Sequence, residues 1–178
     1  MPQCPRVFSF RRHRSLASRS STTQVFVDLD GVLADFYQGC FNLTGRIIDQ
    51  FTEDDALWDA IRAHGNFYYE LPVMHDAMEL WGGLKSHLPR VLTGIPYSIP
   101  NVSTQKRLWV QECIDRHATV ITCRSRDKYL HGEPGDILID DRLKYSKYWV
   151  NMGGIFVHHT SARDTLEQLD RLRYVGKL

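Results

Sequence analysis

Five short apolar runs separated by stretches of helical spacing limit the folds open to this chain more than anything else in it. The runs are Val25 to Leu29, Val91 to Thr93, Thr119 to Cys123, Ile137 to Ile139 and Ile155 to Val157. Helical patterns lie over Asp76 to His87, Ser103 to Arg116, Tyr145 to Met152 and Ser161 to Arg173. Strands that alternate with helices form βαβ units, which assemble into a mostly parallel sheet. The last helix opens with Ser161 and Asp164 in capping-box spacing and turns Thr165, Leu166, Leu169 and Leu172 toward the core. With 178 residues, 43% of them hydrophobic, the chain can bury the core of one domain carrying a small insertion at most.

A parallel sheet delivers the carboxyl ends of its strands to one edge, and ligands bind there where the strand order reverses. Nearly every run ends in a polar group: Asp28, Thr93, Arg124, the pair Asp140 and Asp141, and His158. Turn residues follow strands in any case, so one such position says little, whereas several together predict a shared crevice. The segment from about residue 33 to 71 has no strand signal and is rich in aromatics. It reads as a small helical cap inserted after the first strand and lying over that crevice. The acidic run Glu53, Asp54, Asp55 reads as a solvated helix start. The neighbouring His158 and His159 face opposite ways on a strand, which points to surface or core roles.

The chemistry concentrates in Asp28-Leu29-Asp30-Gly31-Val32, which comes straight off the first run. Carboxylates two residues apart at a strand end can share one site only if the chain leaves strand geometry there, and Gly31 makes that departure easy. The first carboxylate could then attack phosphorus while the second protonates the leaving oxygen. A phosphate dianion repels both, so a hard cation such as magnesium is required, with Asp140 and Asp141 supplying further oxygens. Thr93, the amide of Gly94 and Lys128 suit the neutralisation of the phosphoryl oxygens.

In this order these features resemble the four-motif signature of the haloacid dehalogenase superfamily, across about residues 24 to 172. Within it the chain looks most like the 5'(3')-deoxyribonucleotidases. The strings that carry the likeness are DLDGVLADF (28 to 36), NFYYELPVMHDAMEL (66 to 80), LTGIP (92 to 96), Arg126-Asp127-Lys128 and DILIDDR (136 to 142). The resemblance implies an α/β fold: a Rossmann-like core of parallel sheet flanked by helices, with the small helical cap. It makes Asp28 the nucleophile and Asp30 the acid/base. Magnesium would be held by Asp28, the main-chain carbonyl of Asp30 and Asp141, with Asp140 and Asp136 orienting Asp141 from behind. Thr93, Gly94 and Lys128 would hold the phosphate, Lys106 would be structural, and Phe36 and Trp58 would sandwich a base. Leu57 stands where a further aromatic would be expected.

The implied activity is a magnesium-dependent phosphomonoester hydrolase acting through an aspartyl-phosphate, with a (deoxy)nucleoside monophosphate as substrate. A phosphatase for another small phosphomonoester stays open, as does a non-catalytic subunit of a mitochondrial assembly that kept the fold. A net charge of +1 gives no global case for DNA or a membrane as partner, so an anion must be met locally. A homodimer is left open. Cys4, Cys40, Cys113 and Cys123 have neither zinc nor disulfide-framework spacing and read as reduced thiols. Residues 1 to 23 differ from the 24 to 178 domain: Arg6, Arg11, Arg12, Arg14 and Arg19 mix with serines, and no acid precedes Asp28. That composition suits a mitochondrial transit peptide, hence a matrix location, with a basic disordered tail or RNA-contacting arm as the alternatives.

Overall fold

A computed structural model of the protein describes residues 23–48 and 55–178. Strands β1 (Val25–Val27), β2 (Arg90–Gly94), β3 (Val120–Cys123), β4 (Ile137–Asp140) and β5 (Ile155–His158) form one parallel sheet in the order β3-β2-β1-β4-β5. The chain steps outward from β1 to β3, then returns to the other side of β1 for β4 and β5. The order therefore reverses between β1 and β4, where Val27 pairs with Ile139.

Alternation along the strands divides the interior into two layers. Val25, Val27, Val91, Ile137 and Ile139 face one way, onto a large core shared with helices α3 (Ala77–Leu84), α4 (Val102–Cys113) and α6 (Ala162–Tyr174), following α1 (Phe36–Thr44) and α2 (Asp55–His64) of the insertion. Phe26, Leu92 and Leu138 face the other way, onto Trp149 of α5 (Ser146–Asn151), whose ring meets Phe26 edge-on at 5.6 Å. The sheet is thus covered on both faces, the Rossmann-like α/β arrangement expected.

The expected strands all form, with ends shifted by a residue or two. Leu29 falls outside β1 because the chain curls there: the amides of Val32, Leu33 and Ala34 all donate to the Leu29 carbonyl. The helix expected to reach His87 is α-helical only to Leu84 and closes as a 3-10 turn over Lys85–His87, as Pro89 approaches. At α6, Ser161 Oγ accepts from the Asp164 amide at 3.1 Å, but the Asp164 carboxylate accepts from Thr160 Oγ1 instead of reaching back. Half of the capping box is made. Asp76 Oδ2 satisfies the Ala162 amide at 2.7 Å, tying the starts of α3 and α6 together.

The insertion leaves the core at Leu33 and rejoins it at Met74, whose amide donates to the Leu33 carbonyl at 2.9 Å beside an Ala34–Val73 bridge. Helices α1 and α2 lie in it, and Asp55 opens α2. The expectations for residues 1 to 22, and for Glu53 and Asp54, lie outside the described residues. No helix among the described residues is long and apolar enough to cross a membrane.

Candidate active site

Asp28 follows β1 directly, and its amide donates to the Ile139 carbonyl at 2.9 Å, so the ladder to β4 fixes where its carboxylate stands. Asp140 ends β4 and Asp141 comes next. One carboxylate oxygen from each of Asp28, Asp140 and Asp141 lies within 4.8 Å of the others. Gly31 makes this crowding feasible. Its φ of +81° is left-handed, and a Cβ there would sit 2.4 Å from Asp141 Oδ2. The same turn brings Asp30 to the crevice.

Three carboxylates this close need positive charge. Lys128, buried in the 3-10 segment Ser125–His131, places Nζ 2.6 Å from Asp140 Oδ2 as a hydrogen bond and 2.8 Å from Asp28 Oδ1 as an ion pair without hydrogen-bond alignment. Burial would lower this lysine's pKa, but the charges of Asp28 and Asp140 outweigh it and hold Lys128 protonated. The neutralisation is incomplete at Asp141. Its buried Oδ1 has no hydrogen-bond partner, and burial, then the charges of Asp28 and Asp140, push its carboxyl up to about 8. Burial also raises Asp140, against the pull of Lys128. A cluster with an orphaned buried oxygen and a carboxyl held back from ionising fits a hard divalent cation with oxygen ligands.

On the β2 side, Thr93 is fully buried and Gly94 ends the strand. A Cβ on Gly94 would lie 2.1 Å from Ser125 Oγ and 3.3 Å from Ser125 Cα, so the loop after β3 closes tightly over the glycine. Lys106, assigned a structural job from the sequence, sits inside the site. Its fully buried Nζ donates to Asp30 Oδ2 at 2.5 Å, Thr93 Oγ1 at 3.0 Å and the Gly94 carbonyl at 2.7 Å, and lies 4.9 Å from the centre of the Tyr68 ring. A charged residue on the buried stripe Val102, Gln105, Lys106, Trp109 and Val110 of α4 is the sequence signal for this role. Burial raises the Asp30 carboxyl, opposed by Lys106 and reinforced by Asp28.

Asp136 does not join this cluster. It precedes β4, so a strand of four residues, roughly 13 Å, separates it from the carboxyl edge. Its carboxylate accepts from the amides of Gln24 at 3.0 Å and Glu133 at 2.8 Å, clamping the start of β1 at the opposite end of the sheet. Near Asp141 the structure puts His158 instead, with Nε2 3.1 Å from the Asp141 carbonyl.

Under the insertion lies a cavity of about 300 Å³, with Asp30 and Gly31 on its floor and Phe36, Leu57, Trp58 and Tyr68 among its walls. Phe36 and Tyr68 lie near-parallel, 6.4 Å between ring centres and 27° between planes. Tyr68, read as packing from the sequence, lines this cavity while remaining buried.

No protein-family model matches the sequence. A protein of Vibrio phage KVP40, provisionally named a 5'(3')-deoxyribonucleotidase, is 26% identical over 140 residues, covering 74% of each chain. A haloacid dehalogenase superfamily hydrolase from Ehrlichia chaffeensis superposes with a TM-score of 0.53 at 13% identity, covering 84% of this chain and 97% of that one. With the parallel five-stranded sheet and the order reversal between β1 and β4, the chain has the fold of the haloacid dehalogenase superfamily.

Proposed function

We propose that the protein is a magnesium-dependent phosphomonoester hydrolase of nucleotidase type, using Asp28 as nucleophile. The observation that carries this reading is the meeting of Asp28, Asp140, Asp141 and Lys128 at the β1/β4 edge, with Asp141 also lining the aromatic-walled cavity. Asp28, Asp141 and the Asp30 carbonyl would hold magnesium, which would neutralise the phosphate dianion facing these carboxylates. A carboxylate oxygen of Asp28 attacks phosphorus as the bond from phosphorus to the leaving oxygen breaks, and Asp30, protonated once the phosphate is bound, gives that oxygen its proton. Asp30, now ionised, takes a proton from the water that attacks the aspartyl-phosphate, releasing phosphate and restoring both carboxyls. Lys128, Thr93 and the Gly94 amide hold the phosphoryl oxygens. Hydrolysis of p-nitrophenyl phosphate and of deoxynucleoside monophosphates, each with magnesium and with excess chelator, tests this directly; no magnesium-dependent turnover of either would refute it.

The displaced titration of Asp141 gives the metal reading a second test. Between the usual carboxylate range and about pH 8, the cation-free folded chain binds the Asp141 proton more tightly than the unfolded chain does. Its stability contribution is therefore lost as pH rises through that window. A bound cation requires the carboxylate and displaces that proton. The melting temperature gained on adding magnesium should therefore grow from about pH 5 to about pH 8. A gain independent of pH would remove Asp141 from the metal site.

Phe36, Trp58 and Tyr68 support a nucleobase as the group carried by the phosphate. Stacking on an aromatic side chain supplies about 1–3 kcal/mol, so Trp58→Ala should raise KM for a deoxynucleoside monophosphate by roughly 5- to 150-fold. The KM for p-nitrophenyl phosphate should barely change, and kcat should move less than KM, because the stack persists into the transition state. Equal losses on both substrates would make Trp58 a packing residue and favour another small phosphomonoester. The Arg- and Ser-rich segment before Gln24 supports delivery to the mitochondrial matrix. Protein isolated from cells should then begin near residue 20, and an intact Met1 or Pro2 would count against cleavage on import.

A further inference from the structure

Beside the aromatic cavity lies a second, more open one of about 340 Å³ that the mechanism does not use. Its charged lining residues are Arg124, Arg126, Arg142 and Lys144, with no acid among them. The whole chain carries a net charge of only +1, so four cations around one opening are a local concentration. The nearby Asp127 offsets part of one, at 3.7 Å from Arg126 Nε. Two of the others lie over rings: the Arg124 guanidinium is 4.8 Å from the centre of Tyr97, and Lys144 Nζ is 5.6 Å from the centre of Tyr145. Such seating lowers the entropy cost of presenting the charge.

The two cavities share Ile95, Ser125 and Arg142. The shared wall adjoins the reacting centre, since Ser125 packs on Gly94 and the Arg142 amide donates to Asp140 Oδ1 at 2.8 Å. A molecule with its scissile phosphoryl group at Asp28 and its base in the aromatic-lined cavity lies along this shared wall, so a second phosphoryl group on its sugar can reach the basic cavity. We infer that Arg124, Arg126 and Lys144 form a subsite for a second phosphoryl group, and that the preferred substrates are nucleoside 3',5'-bisphosphates rather than simple monophosphates.

The inference rests on the nucleotidase reading, and one set of measurements separates the two. Titration of a deoxynucleoside 3',5'-bisphosphate and of the matching 5'-monophosphate into full-length chain carrying Asp28→Asn, with magnesium present, gives both dissociation constants without turnover. The bisphosphate should bind at least about tenfold more tightly, as charge-assisted contacts to a second phosphate require. The advantage should shrink with added salt, because these cations are exposed. With Arg124→Gln and Lys144→Gln added, the ratio of the two constants should fall toward one. Equal constants in the parent, or a ratio unchanged by the two substitutions, overturns the subsite. Turnover is measured separately on the unsubstituted chain. Monophosphates hydrolysed with no bisphosphate advantage in binding would leave the nucleotidase reading standing without the subsite. Absence of nucleotide hydrolysis would sink the nucleotidase reading, while the binding ratio still decides the subsite.

Discussion

Asp28→Asn should abolish phosphatase turnover, by on the order of 10⁴-fold or more, as removal of a covalent nucleophile does elsewhere. The side chain keeps its shape but loses the anionic oxygen that would attack phosphorus. Asp30 cannot replace it, because Lys106 holds its Oδ2 at 2.5 Å. The fold should survive. Lys128 retains its 2.6 Å hydrogen bond to Asp140, and one of the charges that push Asp141 up to about 8 is gone. In excess chelator the variant should therefore melt no lower than the parent, and its Asp141 should titrate closer to the ordinary carboxylate range. Steady-state rates with p-nitrophenyl phosphate, paired with mass spectrometry for a phosphorylated chain, measure the first effect. Activity within about tenfold of the parent would eliminate the covalent route.

What could be read from the sequence follows a physical division. Asp28, Thr93, Asp140 and Asp141 were legible because a parallel sheet sends all its strand ends to one edge, so apolar runs with polar ends locate the crevice before any contact is known. Lys106 was harder because it lies on the buried stripe of α4, and Tyr68 because it lies in a turn after α2 that carries no periodic pattern. Their roles arise from what packs opposite them, and this depends on how the insertion folds back onto α4. Asp136 was misplaced for the converse reason. It belongs to the same acidic string as Asp140 and Asp141, yet a strand is a ruler, and four residues of β4 carry it to the far end of the sheet. Proximity along the chain predicted neighbours where extended geometry forbids them.

Lys106→Met should destabilise the fold strongly. Methionine can fill much of the lysine's volume, so the cost is electrostatic more than steric. The substitution leaves Asp30 Oδ2, Thr93 Oγ1 and the Gly94 carbonyl without the donor that serves all three. Breaking a buried charged pair costs about 3–5 kcal/mol when the remaining charge stays unpaired. Asp30 has 28% of its side chain exposed to the cavity, so water can relieve part of this, and a loss of about 2–3 kcal/mol is expected near neutral pH. The sign of the titration then predicts a rescue. Lys106 is the principal influence lowering the Asp30 carboxyl, so its removal lets burial and Asp28 raise that group further. A carboxyl raised in the folded state costs stability as pH rises, so the variant should regain stability relative to the parent as pH falls. Adding Asp30→Asn to Lys106→Met should recover most of the loss at neutral pH, because the unpaired charge is then absent. Urea unfolding of both single variants and the double variant gives the coupling directly. A penalty for Lys106→Met that Asp30→Asn leaves unchanged would assign the lysine's contribution to Thr93 and the Gly94 carbonyl, and remove Asp30 as its charge partner.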